Sequence, residues 1–175
     1  LFPTAMAATV TLGVAPLLFL QLVYPRQVYS AAIVSGWFWL MVVPAVIVAY
    51  YSLYGAAFSG KDGASKPGGR LLLALLAAIY VSLVYSSIFS MAERPDLIQK
   101  LYAQRQTGLM WNPEAEDYIF RWLHMVLGAV TVGGYFVGLL GRDNPAAAVA
   151  GKKFFLTGFI LSSLARLAYL FSLGK

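Results

Sequence analysis

The residues of this sequence best suited to chemistry are three ionisable side chains inside apolar stretches: His124, Arg121 and Arg166. His124 is the only histidine of the chain, and Arg121 precedes it by three residues, which places both side chains on one face of a helix. A neutral imidazole can ligate haem iron or hydrogen-bond a quinone, and an arginine can pair with a haem propionate. We therefore predict a cofactor-binding site made of these three residues, with His124 as the metal ligand.

Long uncharged runs surround these residues and predict membrane-spanning helices. The chain is 60% apolar and only 11% charged, with a mean hydropathy of +0.72, whereas about a quarter of a soluble domain is charged. A helix needs about 20 apolar residues to cross a bilayer. The sequence therefore predicts an all-α, polytopic helical bundle that forms one domain over residues 1–175, with spans at 4–24, 29–55, 71–92, 118–141 and 154–174.

The charged segments between the spans predict how the chain is oriented. Residues 59–70 and 142–153 each carry a net charge of +2, whereas residues 93–117 carry −2. Since cytoplasmic loops are enriched in Lys and Arg, we place the two basic loops and the N-terminus inside, and the acidic segment and the C-terminus outside. Within the acidic segment, residues 94–106 have apolar side chains at helical spacing and predict a short interfacial helix on the membrane surface.

The three ionisable residues fall at similar depths in this arrangement. With a rise of about 1.5 Å per residue, Arg121, His124 and Arg166 lie about 6, 10 and 13 Å below the outer surface. A charge at bilayer depth costs several kcal/mol unless it is paired, hydrated or able to reach the surface, yet no carboxylate lies inside any predicted span. The partner is then an acid of the outer segment or an external anion, such as a haem propionate or a lipid phosphate.

Structural roles also account for these residues. A single membrane histidine can make an interhelical hydrogen bond, and Arg121 can extend its side chain to the surface. Gly134 and Gly138 form a GxxxG pattern that allows close packing of helices. Both interpretations, cofactor binding and helix packing, remain open at this point.

Several functional classes are excluded by what the sequence lacks. The chain has no cysteine, which excludes thiolate metal sites and covalent c-type haem, and its single histidine excludes an internal bis-histidine site. No phosphate-binding loop or nucleophile elbow is present. The basic residues form no patch with interleaved aromatic residues, so we expect no nucleic-acid partner. A non-catalytic or electron-carrying subunit is favoured over a free-standing enzyme.

Two stretches resemble known bacterial membrane proteins. RWLHMVLGAVTVGG, residues 121–134, resembles the histidine-bearing helices of b-type cytochromes and copper-resistance-type membrane proteins. TLGVAPLLFLQLVY, residues 11–24, resembles inner-membrane proteins associated with multihaem c-type cytochromes. The resemblance implies a cytochrome-like subunit of a respiratory electron-transfer complex in the bacterial inner membrane, with His124 as an axial ligand of haem b. Its partners would be other membrane subunits, lipid and a c-type cytochrome on the outer side.

The resemblance leaves the second axial ligand unassigned, because b-type cytochromes usually supply two histidines. It would come from another subunit or from a segment before Leu1, which the absence of an initiating methionine leaves open, or the iron would be five-coordinate. The leading hypothesis is an electron-transfer subunit with an outer-leaflet haem b or quinone site. The alternatives are a structural anchoring subunit without its own cofactor and a pigment-binding subunit of a photosynthetic complex.

Overall fold

The computed structural model describes residues 18–59 and 67–173. Within these ranges all regular secondary structure is helical and no strand forms, so the predicted all-α fold is confirmed. In this described part of the chain, four helices are long and apolar enough to cross a membrane: Gly36–Phe58, Gly68–Ala92, Tyr118–Leu140 and Pro145–Phe171. They match a multi-pass membrane protein. The first predicted span, 4–24, lies outside the described residues except for 18–24, of which 18–23 are helical.

The chain forms two compact units, Leu1–Asn112 and Pro113–Lys175. After the helical residues 18–23, the described part of the first unit contains five helices: α1 (Pro25–Val34), α2 (Gly36–Leu40), α3 (Val42–Ser59), α4 (Gly68–Ala92) and α5 (Pro95–Gln104). The second unit contains α6 (Ala115–Leu140) and α7 (Pro145–Leu173).

The core of the first unit lies where α1, α4 and α5 meet, and α3 packs along α4. Its most deeply buried side chains come from α1 and α4: Ala31, Val34, Val84, Ile88 and Met91. The amphipathic helix predicted over 94–106 is present as α5, but its apolar residues Leu97, Ile98 and Leu101 are buried in this core. They contact protein, whereas we expected them to lie on the lipid surface.

The predicted span over 29–55 is divided into α1, α2 and α3, with interruptions at Ser35 and Met41. A distant segment of the same unit supplies the missing backbone partners. The Trp37 N–H donates to the Gly108 carbonyl (3.0 Å), and the Met110 N–H donates to the Val34 carbonyl (3.2 Å). The Ser35 hydroxyl donates to the Met110 carbonyl (2.8 Å). The interruption at Ser35 is therefore stable, because its backbone groups are hydrogen-bonded within the protein.

The second unit is an antiparallel pair of helices joined by a short turn at residues 141–144. The Asn144 side-chain oxygen accepts hydrogen bonds from the N–H groups of Ala146 (3.0 Å) and Ala147 (3.4 Å) and so caps α7. Pro145 occupies the first helical position, which suits proline. The last span was predicted to begin at 154, but this cap and the alanines that follow begin the helix at Pro145.

Candidate functional site

Small residues bring α6 and α7 into backbone contact and thereby position the candidate site. A Cβ added at Gly134 would collide with the backbone nitrogen of Phe155, and one added at Gly151 would collide with the backbone of Gly138. Farther along, a Cβ at Gly158 would lie 2.7 Å from Thr131 Oγ1. The expected packing role of Gly134 and Gly138 is therefore observed. Nothing lies within 4 Å of a Cβ at the adjacent Gly133.

His124 joins the two helices through Ser162. The imidazole Nδ1 lies 3.1 Å from the Ser162 carbonyl oxygen and 2.9 Å from Ser162 Oγ. The Ser162 hydroxyl also lies 3.3 Å from the His124 carbonyl, to which it donates. The histidine is half-buried, whereas Ser162 is buried. The interhelical hydrogen bond considered for this histidine is thus present, and it occupies only one of the two ring nitrogens.

The contacts of Nδ1 favour one tautomer of the imidazole. The Ser162 carbonyl oxygen can only accept a hydrogen bond, so its contact with Nδ1 of His124 favours the tautomer with the hydrogen on Nδ1. The neutral tautomer then has an unprotonated Nε2 with a lone pair. Within residues 18–59 and 67–173, no hydrogen bond of the imidazole involves Nε2. This nitrogen can ligate a metal or accept a hydrogen bond.

Arg121 is held one turn away by a tyrosine of α7. Its terminal nitrogen donates to the Tyr169 hydroxyl at 2.8 Å, and its guanidinium carbon lies 5.5 Å from the centre of the Tyr169 ring. The ring face therefore contributes a cation–π interaction beside the hydrogen bond. Because a guanidinium has five N–H donors, Tyr169 does not exhaust its capacity. Arg121 is thus positioned toward α7 on the same side of α6 as His124.

Arg166 lies on α7 between the two residues that hold His124 and Arg121. It follows Ser162 by four residues and precedes Tyr169 by three, a spacing that puts the three side chains on neighbouring positions of one helix face. The Arg166 side chain is exposed, and in the described part of the chain no ion pair or hydrogen bond of this residue is found. It is a cation in an apolar helix that an external anion can reach.

The predicted residues thus occupy one end of the α6–α7 pair, but the sequence did not identify the residues that orient them. Ser162 and Tyr169 were missed. Ser162 and Tyr169 are seven residues apart, which is only a weak signal in the sequence. Their contacts with His124 and Arg121 can be recognised only when the antiparallel alignment of α6 and α7 is known.

A multi-residue metal site is not formed by the described residues, where no three His, Cys, Asp or Glu side chains come together. A metal at His124 would therefore take one ligand from this part of the chain. Comparisons of this chain with protein-family models, with curated proteins and with solved structures give no match.

Proposed function

We propose that this chain is an integral membrane subunit of an electron-transfer complex, and that the α6–α7 pair holds haem b through Nε2 of His124. The observation that carries the proposal is the 3.1 Å contact of Nδ1 with the Ser162 carbonyl, which favours the tautomer with a lone pair on Nε2. Histidine ligands of metals commonly donate their other ring N–H to a carbonyl or carboxylate, which fixes the ring orientation and raises ligand basicity. The contacts of His124 follow this pattern.

The arginines supply the second part of the argument. Haem carries two propionates that are stable in an apolar environment only when paired with cations or hydrated. Arg166 is exposed and lies one turn from Ser162, and Arg121 lies one turn from His124 with its guanidinium oriented by Tyr169. We assign Arg166 as the first propionate partner and Arg121 as the second. The bound haem would supply the one-electron chemistry, while this chain supplies an axial ligand, orientation and charge compensation.

A quinone at His124 is a weaker proposal than haem. An oxidised quinone presents carbonyl oxygens, which require a hydrogen-bond donor, whereas the neutral tautomer of His124 offers an acceptor at Nε2. The ring could accept a hydrogen bond only from the hydroxyl of the reduced form. Haem iron is an electron-pair acceptor and suits the lone pair directly.

A structural anchoring subunit is the second candidate, and the exposed apolar surface of the spans favours it. In the most apolar 18-residue segment of each helix, only 6% of Tyr118–Leu140 and 11% of Pro145–Phe171 is buried within the protein. These faces can contact lipid or the helices of other subunits. An anchoring role would use the same surfaces without any cofactor.

The two candidates are separated by substitutions at His124. Asparagine can place its amide N–H near the position of Nδ1 but offers nothing at Nε2. We expect His124→Asn to keep the packing of α6 against α7 and to lose the b-type α band in a dithionite-reduced minus oxidised spectrum of the protein purified with its partner chains. Met125→Leu is the matched control, because Met125 is exposed on the next position of the same helix. A band of full amplitude in His124→Asn, or no band in the wild type, would contradict haem ligation and favour the anchoring role.

A further inference from the structure

The first unit contains a cleft that none of the preceding arguments uses. It has a volume of about 610 Å³. One side is the end of α4, and the other side is formed by the helical residues before α1 and the first residues of α1. One wall carries Leu20, Tyr24 and Gln27, and the other carries Phe89, Ala92 and Glu93. Pockets for small molecules commonly measure about 300–1,000 Å³, so the cleft has the size of a ligand site.

The spacing along each wall shows that the cleft follows two helix faces. The first wall uses positions 20, 24 and 27, and the second uses 89, 92 and 93, which are separations of three and four residues. The Phe89 ring contacts the Tyr85 ring at 5.6 Å, and Tyr85 contacts Trp39 at 5.2 Å. An aromatic series therefore leads from the core of the unit to the cleft wall.

Polar and apolar groups are separated within the cleft. Leu20, Phe89 and Ala92 supply apolar surface, and Ala92 is the last residue of a candidate membrane span. Tyr24, Gln27 and Glu93 supply polar groups where that span ends and where α1 begins. A ligand that fits this distribution has a flat or apolar body, a small uncharged polar head, and access from the membrane.

The hydrogen-bonding groups restrict the head further. Tyrosine and glutamine can each donate and accept, whereas an ionised glutamate only accepts. Among the described residues that line the cleft there is no cation, and the carboxylate of Glu93 would repel a phosphate, so a phospholipid head group is disfavoured. The carbonyl oxygens of an oxidised quinone can accept hydrogen bonds from Tyr24 and Gln27. The hydroxyl of a hydroquinone can donate to Glu93, whose carboxylate has about four acceptor positions and can bind more than one partner.

We propose that this cleft binds the head group of a membrane quinone. The proposal deepens the proposed electron-transfer function, but it rests on other residues and does not require haem at His124. It also assigns the quinone to a site with donors, in contrast to the His124 site, where the neutral ring offers an acceptor.

The test is a binding titration of the full chain in phospholipid nanodiscs with decylubiquinone, followed by quenching of tryptophan fluorescence. We expect saturable binding that Ala92→Phe weakens by at least about tenfold, because the added ring fills the cleft, a change of about 1.4 kcal/mol. Ala78→Phe is the matched control, since Ala78 lies on the same helix and is exposed. The control is expected to bind as the wild type does.

Ala92 also contacts the core of the unit, so a folding defect in Ala92→Phe would weaken binding as well. A second substitution separates the loss of the site from such a defect. Gln27 is exposed, and we expect Gln27→Leu to weaken binding about threefold to tenfold, the range for one lost hydrogen bond. Unchanged affinity in both variants would overturn the proposal, as would displacement of the quinone by phosphatidylglycerol. Saturable binding that persists in His124→Ala would support this site even if the haem proposal fails.

Discussion

Gly133 and Gly134 are adjacent glycines of α6 that we expect to respond in opposite ways to the same substitution. A Cβ at Gly134 would collide with backbone atoms of α7, whereas a Cβ at Gly133 would meet nothing within 4 Å. Gly133→Ala is therefore the matched control for Gly134→Ala. Both changes occur one residue apart in the same helix, so they differ mainly in what the new methyl group contacts.

The magnitude follows from two terms. Replacing glycine by alanine inside a helix favours the helix by up to about 1 kcal/mol, and this term is common to both variants. Overpacking a close contact costs about 1–3 kcal/mol. At Gly134 the obstructing atoms are the backbone nitrogen of Phe155 and the carbonyl carbon of Phe154, which cannot move like a flexible side chain. We therefore expect Gly134→Ala to be less stable than Gly133→Ala by about 1–3 kcal/mol, near the upper limit.

The free energy of unfolding can be measured by titrating the full chain in mixed micelles with SDS. Trp122 lies on α6, and the other three tryptophans of the chain, at positions 37, 39 and 111, can be replaced by phenylalanine so that the fluorescence reports on the second unit. The midpoint for Gly134→Ala should occur at lower SDS than that for Gly133→Ala. Equal midpoints would refute the inference that α6 and α7 are in backbone contact at this position.

Three further substitutions test individual hydrogen bonds and one backbone conformation. Ser162→Ala should lower stability by only about 0.6 kcal/mol in the SDS titration and keep the b-type band, because Nδ1 of His124 still donates to the carbonyl of residue 162; loss of the band would contradict the tautomer assignment. Asn144→Ala should cost about 1 kcal/mol by the same titration through the lost cap, whereas Asn144→Asp should be nearly neutral. Gly108→Ala should lower stability by about 1–2 kcal/mol because Gly108 has a φ of +70°. The measurement is an SDS titration followed by fluorescence, with all four wild-type tryptophans retained. An unchanged SDS midpoint would contradict this backbone conformation.

The helices could be predicted from the sequence because membrane spans are defined by local composition. Most of α4 lies in an uncharged run of about the length that a bilayer requires, and the predicted span in α6 contains Arg121 as its single Lys, Arg, Asp or Glu; the predicted boundaries of both are close to the observed ones. The interruption at Ser35 could not be predicted in this way. It is stabilised by hydrogen bonds to Gly108 and Met110, more than 70 residues farther along the chain. No property of residues 29–55 alone indicates that such partners exist.

In the candidate site, too, features that depend on one helix could be predicted, whereas features that depend on contacts between helices could not. His124 and Arg121 were identified because ionisable side chains are rare in membrane spans, and that reasoning needs only their own helix. Ser162 and Tyr169 were missed, since a serine and a tyrosine in an apolar helix are common and carry no signal by themselves. Their importance depends on the alignment of α6 and α7, which is determined by contacts such as Gly134 with Phe155. The residues that orient a membrane site are thus harder to predict than the residues that are oriented.

The interhelical hydrogen bond of His124 and its proposed role as a ligand support each other, although from the sequence they were alternatives. An imidazole has two ring nitrogens, and the bond to Ser162 uses only Nδ1. A ring that is not held could rotate or exchange its proton between the two nitrogens, and would then present Nε2 as a ligand only part of the time. The close packing of α6 and α7 brings the Ser162 carbonyl within 3.1 Å of Nδ1. Packing therefore holds the ring orientation and favours the tautomer that the proposed ligation requires. For this reason His124→Asn tests the proposed function more directly than a substitution that also disrupts the helix pair.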